Sequence, residues 1–173
     1  MRKLTLLIIL VATAAIALPQ QMPMPKTSGP QSDAQKAFET LKTLAGSWEG
    51  TYMGMSAKIT IRVTSTGNAI LHEMTASGRP DDPITMIYVD GDRLLLTHFC
   101  DSGNRPRMEG KLSPDGNTVT FDFLDVSGNA EKFLMHDVMF TIVDADHHIE
   151  AFTYSVNGKP PFRAPGIQLQ RTK

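Results

Sequence analysis

The chain is poor in cysteine, in tryptophan and in surplus charge, and each shortage excludes something. One cysteine in 173 residues, Cys100, rules out an internal disulfide, so the fold must rest on its apolar core, which a chain of this length can supply. Seventeen basic residues stand against 18 acidic ones, a formal net charge of −1. That balance offers no basic stripe for nucleic acid. No apolar run reaches the roughly 20 residues of a membrane-spanning helix. The longest, Leu4 to Ile16, is broken by Thr5 and Thr13. Also missing are a nucleophile elbow, a phosphate-binding glycine loop and a metalloprotease helix.

What is present begins with a targeting pattern. Arg2 and Lys3 precede the apolar stretch, and Ala15-Ile16-Ala17 supplies small residues for cleavage, so residues 1–17 read as a signal peptide of an exported, periplasmic or secreted protein. Its removal leaves 15 basic residues against 18 acidic, a net −3. Residues 18–32 carry Pro19, Pro23, Pro25 and Pro30 among Gln, Ser and Gly, the composition of an extended, disordered tether. Residues 33–173 form the folded domain.

That domain opens with a helix. Ser32 and Gln35 fit a capping box, Phe38, Leu41, Leu44 and Ala45 share one face, and Gly46 reads as the stop. From Trp48 onward the period is two. Lys58 to Val63 alternates cleanly, with Ile59, Ile61 and Val63 inward. Turn signals recur every eight to twelve residues or so, among them Ser65-Thr66-Gly67-Asn68, Asp90-Gly91-Asp92, Ser113 to Asn117 and Asn157-Gly158. The reading is all-β: about 9–10 short strands in an antiparallel up-and-down meander. A meander that long closes into a barrel because closure removes its exposed edges.

Leu44-Ala45-Gly46-Ser47-Trp48-Glu49-Gly50, a helix before it and Arg171 near the far end resemble the calycin superfamily: lipocalins, fatty-acid-binding proteins and nitrobindin-like barrels. The resemblance implies that Trp48 closes one end beneath Arg171, a contact of about 0.5–1 kcal/mol. It also implies a lumen that holds a ligand. The chain further resembles uncharacterised exported bacterial proteins with a stretch like Asp90 to Cys100 followed by Asn104 to Met108. Second and third lipocalin motifs are not evident. The late histidines, His136, His147 and His148, sit in no pattern that transfers the haem-ligand role of nitrobindins.

Candidate ligand-binding residues follow from the period. His98 and Cys100 share a face with Leu94 and Leu96, and His72 lies between Ile70 and Met74. With Arg107, which follows Pro106 at the start of a strand, His72 and His98 would form a polar cluster in an apolar cavity. The rival readings are a hydrogen-bonded structural histidine, a buried thiol acting as a small hydrophobe, and an arginine paired with Asp101 or Glu109. Asp144, Asp146, His147 and His148 read as turn chemistry and not as a metal site. His136 and Asp137, as strand neighbours, should face opposite ways.

The function expected is non-covalent binding of a small, mostly apolar molecule, with no catalytic residues and no metal. An enzyme is the least supported class. Alternatives are a haem protein, haem being the one cofactor candidate, and a filled barrel acting as a structural or partner-binding module. Met74, Met86, Tyr88, Phe121, Phe123 and Met139 are bulky enough to fill the lumen if they face inward.

Overall fold

The computed structural model describes residues 30–172; the expected signal peptide and most of the expected tether lie outside the described residues. Helix α1 spans Asp33–Lys42. Ser32 Oγ accepts from Gln35 N–H at 3.2 Å, satisfying one free amide of the first turn. The Gln35 side chain does not complete the box. It donates to Glu39 Oε1 at 3.2 Å, one turn on, where a carboxylate is the stronger acceptor. Ala34, Ala37, Phe38 and Leu41 are buried, and this face packs on three strands, β4, Ile84–Asp90, β5, Arg93–Phe99, and β6, Arg105–Leu112.

The remaining strands are β1, Gly46–Tyr52; β2, Met55–Thr64; β3, Ala69–Ala76; β7, Thr118–Ser127; β8, Leu134–Ile142; β9, His147–Ser155; β10, Phe162–Arg163; and β11, Ile167–Arg171. Each pairs antiparallel with the next up to β9, and β9 then pairs with β11, which pairs with β1. The wall is a closed antiparallel barrel of ten strands. The two-residue β10, which the sequence pattern does not signal, is a spur pairing Phe162 with Tyr154 and Arg163 with Thr153 of β9.

The two ends of the barrel differ. One end is shut by α1 and packed solid with Phe38, Leu41, Leu44, Trp48, Leu94 and Phe121, each at most 2% exposed. Trp48 pairs with Arg171 across the β1–β11 seam, and the guanidinium lies 4.1 Å from the indole centroid. Arg171 also donates to the carbonyls of Ala45 at 2.7 Å, Thr43 at 3.2 Å and Ala145 at 2.9 Å. It thereby ties the residues after the helix to the β8–β9 turn. The opposite end is the mouth, where β1, β3, β5 and β9 finish and β4 and β8 begin.

Gly46 does not stop the helix, which ends at Lys42. It opens β1 at φ +143°, and a Cβ there would overlap the Arg171 guanidinium. Gly50 is needed for the same seam, because a Cβ would strike the Gln168 carbonyl of β11. Both glycines flanking Trp48 are therefore dictated by the closing strand. Gly50→Ala forces β11 away and should cost about 2 kcal/mol, as an overpacked site does. Urea unfolding checks it, and no measurable loss would contradict the tight seam.

Alternation places the bulky side chains unevenly. Phe121 is fully buried in the core and Met74 packs against it. Met86 and Tyr88 alternate with buried Thr85 and Ile87, and Met139 stands between buried Val138 and Phe140, so these three occupy the outer face. Phe123 stacks on the His136 imidazole at 4.8 Å. The strand β8 carries a register shift between Met135 and Asp137. Because of it His136 and Asp137 do not oppose each other as simple alternation requires: His136 Nδ1 lies 3.0 Å from Asp137 Oδ1.

Candidate functional site

The polar centre of the lumen is a carboxylate. β9 alternates His148, Glu150, Phe152 and Tyr154 inward. Glu150 has no exposed surface. Its Oε2 lies 3.0 Å from His72 Nε2 and its Oε1 3.0 Å from His148 Nε2. Burial alone would push the Glu150 carboxyl up, but the His72 charge and the hydrogen bonds from His148 and His72 bring it down to about 2. For His72, burial opposes the charged ring and the Glu150 charge with its hydrogen bond overcomes it, so the value is raised. The arrangement is a buried imidazolium–carboxylate pair with a second imidazole on the other side.

This row continues to the closed end. The His148 ring meets Trp48 edge to face at 4.1 Å, and Trp48 Nε1 donates to the Leu44 carbonyl at 2.9 Å. Arg171, Trp48, His148, Glu150 and His72 thus form one continuous contact chain through the barrel floor. His148 Nδ1 is buried without a hydrogen-bond partner among the described residues.

Above this floor lies a cavity of about 50 Å³ that opens toward the mouth. His72 and His98 both line it, with Met74, Met135, Phe152 and Tyr154. The register sets the two histidines in one transverse row, His72 opposite Thr85 and Thr85 opposite His98. Thr85 Oγ1 lies 2.9 Å from His98 Nδ1. Burial, with the charge of His72, holds His98 down at about 4, so its ring is neutral at physiological pH. The Tyr52 and Tyr154 hydroxyls meet at 3.0 Å. Burial and that hydrogen bond push the Tyr154 phenol well up. Outside the cavity a wider cleft of about 610 Å³ runs over Met53, Phe133, Tyr154 and Phe162, with Arg79 and Lys132 at its rim. Tyr154 stacks with Phe133 at 4.6 Å.

The structure brings His72 and His98 together and separates Arg107 from them. Arg107 sits on the outer face of β6, between buried Pro106 and fully buried Met108. Its Nε donates to Asp125 Oδ1 at 2.7 Å and its Nη2 to the other carboxylate oxygen. Asp125 is its partner because the antiparallel register sets the two opposite. Glu109 pairs instead with Arg93 at 2.9 Å. Arg107 therefore aims no guanidinium at the mouth. Asp144 receives the Asp146 N–H at 2.8 Å and faces His147 Nδ1 at 2.9 Å on an exposed turn.

Sequence reading missed His148 and Glu150. It set His148 in the turn, whereas β9 already starts at His147. The signal was there: placing His148 one residue inside the strand puts it in phase with Glu150, Phe152 and Tyr154, and an acid in an otherwise apolar inward phase needs a buried partner.

No protein-family profile matches the chain, and no curated protein matches it. Among solved structures it is similar to Rv2717c from M. tuberculosis, with a TM-score of 0.59, 17% identity, and 79% of this chain and 98% of that chain covered. It is also similar to a protein with unknown function from the DUF3598 family of Nostoc punctiforme PCC 73102, with a TM-score of 0.54 and 12% identity over 84% of this chain and 53% of that one. At these identities the likeness is one of fold alone.

Proposed function

We propose that this is an exported calycin-type barrel that binds a small, mostly apolar molecule through its mouth. The observation that carries the reading is the division of the lumen: solid at the α1 end, hollow above the Glu150 floor, and walled there by Met74, Met135, Phe152 and Tyr154 around two inward histidines. An apolar guest gains about 25 cal/mol for each Å² it removes from water, and the histidines orient it.

The volume limits the guest. About 50 Å³ of enclosed space falls well short of the 300–1,000 Å³ typical of drug-sized pockets. The lumen takes a compact molecule, or the apolar tip of a longer one whose body lies in the cleft beside Phe133 and Phe162. Haem would require the barrel to open far beyond this. The packed α1 end favours the filled-barrel alternative for that half only.

A fluorescent apolar probe and native mass spectrometry with a ligand panel test the reading. Ala76 lines the cavity, and Ala76→Phe fills it without touching the histidines. Binding should weaken at least tenfold in Ala76→Phe and stay unchanged in Lys111→Ala, on a separate surface at the other end. Equal binding by Ala76→Phe and the parent chain would remove the lumen as the site.

A further inference from the structure

We propose that the guest selected by the lumen is a compact, neutral carbonyl compound (a ketone, aldehyde or ester) whose oxygen accepts a hydrogen bond from His98 Nε2. This rests on the lumen as the binding site, as read above, and adds what a guest must carry there.

The polar groups of the cavity wall have protons to spare. His98 is 6% exposed and lines the cavity. Its Nδ1 lies 2.9 Å from Thr85 Oγ1 and is the one partner of that hydroxyl among the described residues. The hydroxyl satisfies its proton there only by donating it. Nδ1 is therefore the acceptor, and the ring proton sits on Nε2. Nε2 has no hydrogen-bond partner among the described residues. Unlike His148 Nδ1, it is not sealed in the core, so its N–H is left for a guest.

A second spare donor stands at the same cavity. The Tyr52 and Tyr154 hydroxyls line it and meet at 3.0 Å. Two phenols sharing one hydrogen bond use one of their two protons, and neither has another partner among the described residues. His72, by contrast, spends its Nε2–H on Glu150. The carboxylates lining the cavity, Asp81 and Asp101, belong to the rim loops. There Asp81 Oδ1 takes the Asp101 N–H at 3.1 Å, and Arg79 stands 3.9 Å from Oδ2.

Charge removes the ionic alternatives. A carboxylate would enter past Asp81 and Asp101 toward the Glu150 floor, and an ammonium would meet the His72 imidazolium. A neutral guest avoids both repulsions. An alcohol can accept from Nε2, but it brings a proton of its own to a wall already rich in donors, and a buried donor without a partner is costly. A carbonyl oxygen only accepts.

Cyclopentanone, methylenecyclopentane, cyclopentanol and the cyclopentylammonium ion share one ring and separate these chemistries. Ligand-observed NMR reads their affinities for the purified chain, and the carbonyl-carbon shift of cyclopentanone reads the hydrogen bond. Cyclopentanone should bind at least about threefold tighter than methylenecyclopentane, a ratio that one net hydrogen bond supplies, and tighter than the alcohol and the ammonium. Its carbonyl carbon should move downfield on binding. His98→Phe should erase the preference and the shift while the hydrocarbon still binds. Nitrogen NMR of the parent chain without ligand should find His98 protonated on Nε2, a readout that stands even where His98→Phe does not fold. Binding of none of the rings would overturn the lumen as a site and the carbonyl class with it. Equal binding of ketone and hydrocarbon, tightest binding of the alcohol or the ammonium, a His98 proton on Nδ1, or a ketone preference that survives in folded His98→Phe would leave the lumen standing and overturn the proposal.

Discussion

Glu150→Leu should destabilise the barrel by about 3–5 kcal/mol, the cost of breaking a buried ion pair from one side. The carboxylate is 0% exposed and serves His72 and His148 at once. Its removal leaves the His72 ring without the charge that offsets burial, and leaves His148 with no partner on either nitrogen. The loss is one of pairing and not of packing. Replacing both members, as in His72→Leu with Glu150→Leu, should therefore cost less than the two single losses added, with a coupling of about 2 kcal/mol. Urea unfolding of the four proteins measures it. Additive losses would mean the pair contributes no interaction.

The same pair sets a pH signature. Glu150 is held at about 2 against an ordinary 4.5, so its contribution is fully present above about 4.5 and is lost as pH falls toward 2. His72 is raised above 6.5, so its contribution is fully present below 6.5 and is lost as pH rises through its folded-state value. The pair is strongest between those limits. His148 and His98 are the other titratable groups on the inner face beside it, and Glu73, on the outer face of β3, acts on His72 through its charge alone. His98 acts oppositely: held at about 4, it erodes stability below 6.5 because the unfolded chain takes up the proton more readily. It is present in the parent and in Glu150→Leu alike, so the difference between the two curves isolates the pair. That difference should be largest near pH ~5.5, and shrink both as pH falls toward about 2 and as it rises through the raised folded-state value of His72. A flat difference would contradict the charge assignment.

Why the barrel was legible and its centre was not comes down to range. Closure follows from local signals: Ile59 and Ile61 alternate with Lys58, Thr60 and Arg62, and nearly every turn carries its own Gly, Asn or Asp. The Trp48–Arg171 contact was reachable through a resemblance, since both residues lie at fixed places relative to the chain ends. His72 and His98 were legible because each shares a face with obvious core residues. The polar row was not, because His72 and Glu150 are 78 residues apart and meet across the lumen, where no sequence period reaches. Arg107 failed for a related reason: its partner is chosen by the β6–β7 register, and a bulge between Arg107 and Met108 falls at that point. His136 and Asp137 show the same effect, a bulge undoing an alternation that the sequence alone makes seem certain.

Trp48→Ala should rank with the loss of Glu150, at about 3–5 kcal/mol, for reasons that join the floor to the seam. The ring is 1% exposed, with Arg171 on one side at 4.1 Å and His148 on the other at 4.1 Å. Deleting it opens a cavity between α1 and the polar row, and it strips the Leu44 carbonyl of its donor. Trp48→Phe separates these terms. It keeps most of the apolar volume and loses the Leu44 hydrogen bond, so about 1–3 kcal/mol is expected. Arg171 tests the other half of the seal. Its three carbonyl bonds leave from three different nitrogens, a fork that an ammonium cannot reproduce. Arg171→Lys should therefore lose nearly as much stability as Arg171→Ala. Because β11 is only five residues long and is the last strand to close the ring, both Arg171 variants should speed hydrogen exchange at the β1–β11 amides before those of β2–β3. Exchange that quickens equally around the barrel, or Arg171→Lys behaving as the parent, would show that the guanidinium only covers the indole and does not hold the seam shut.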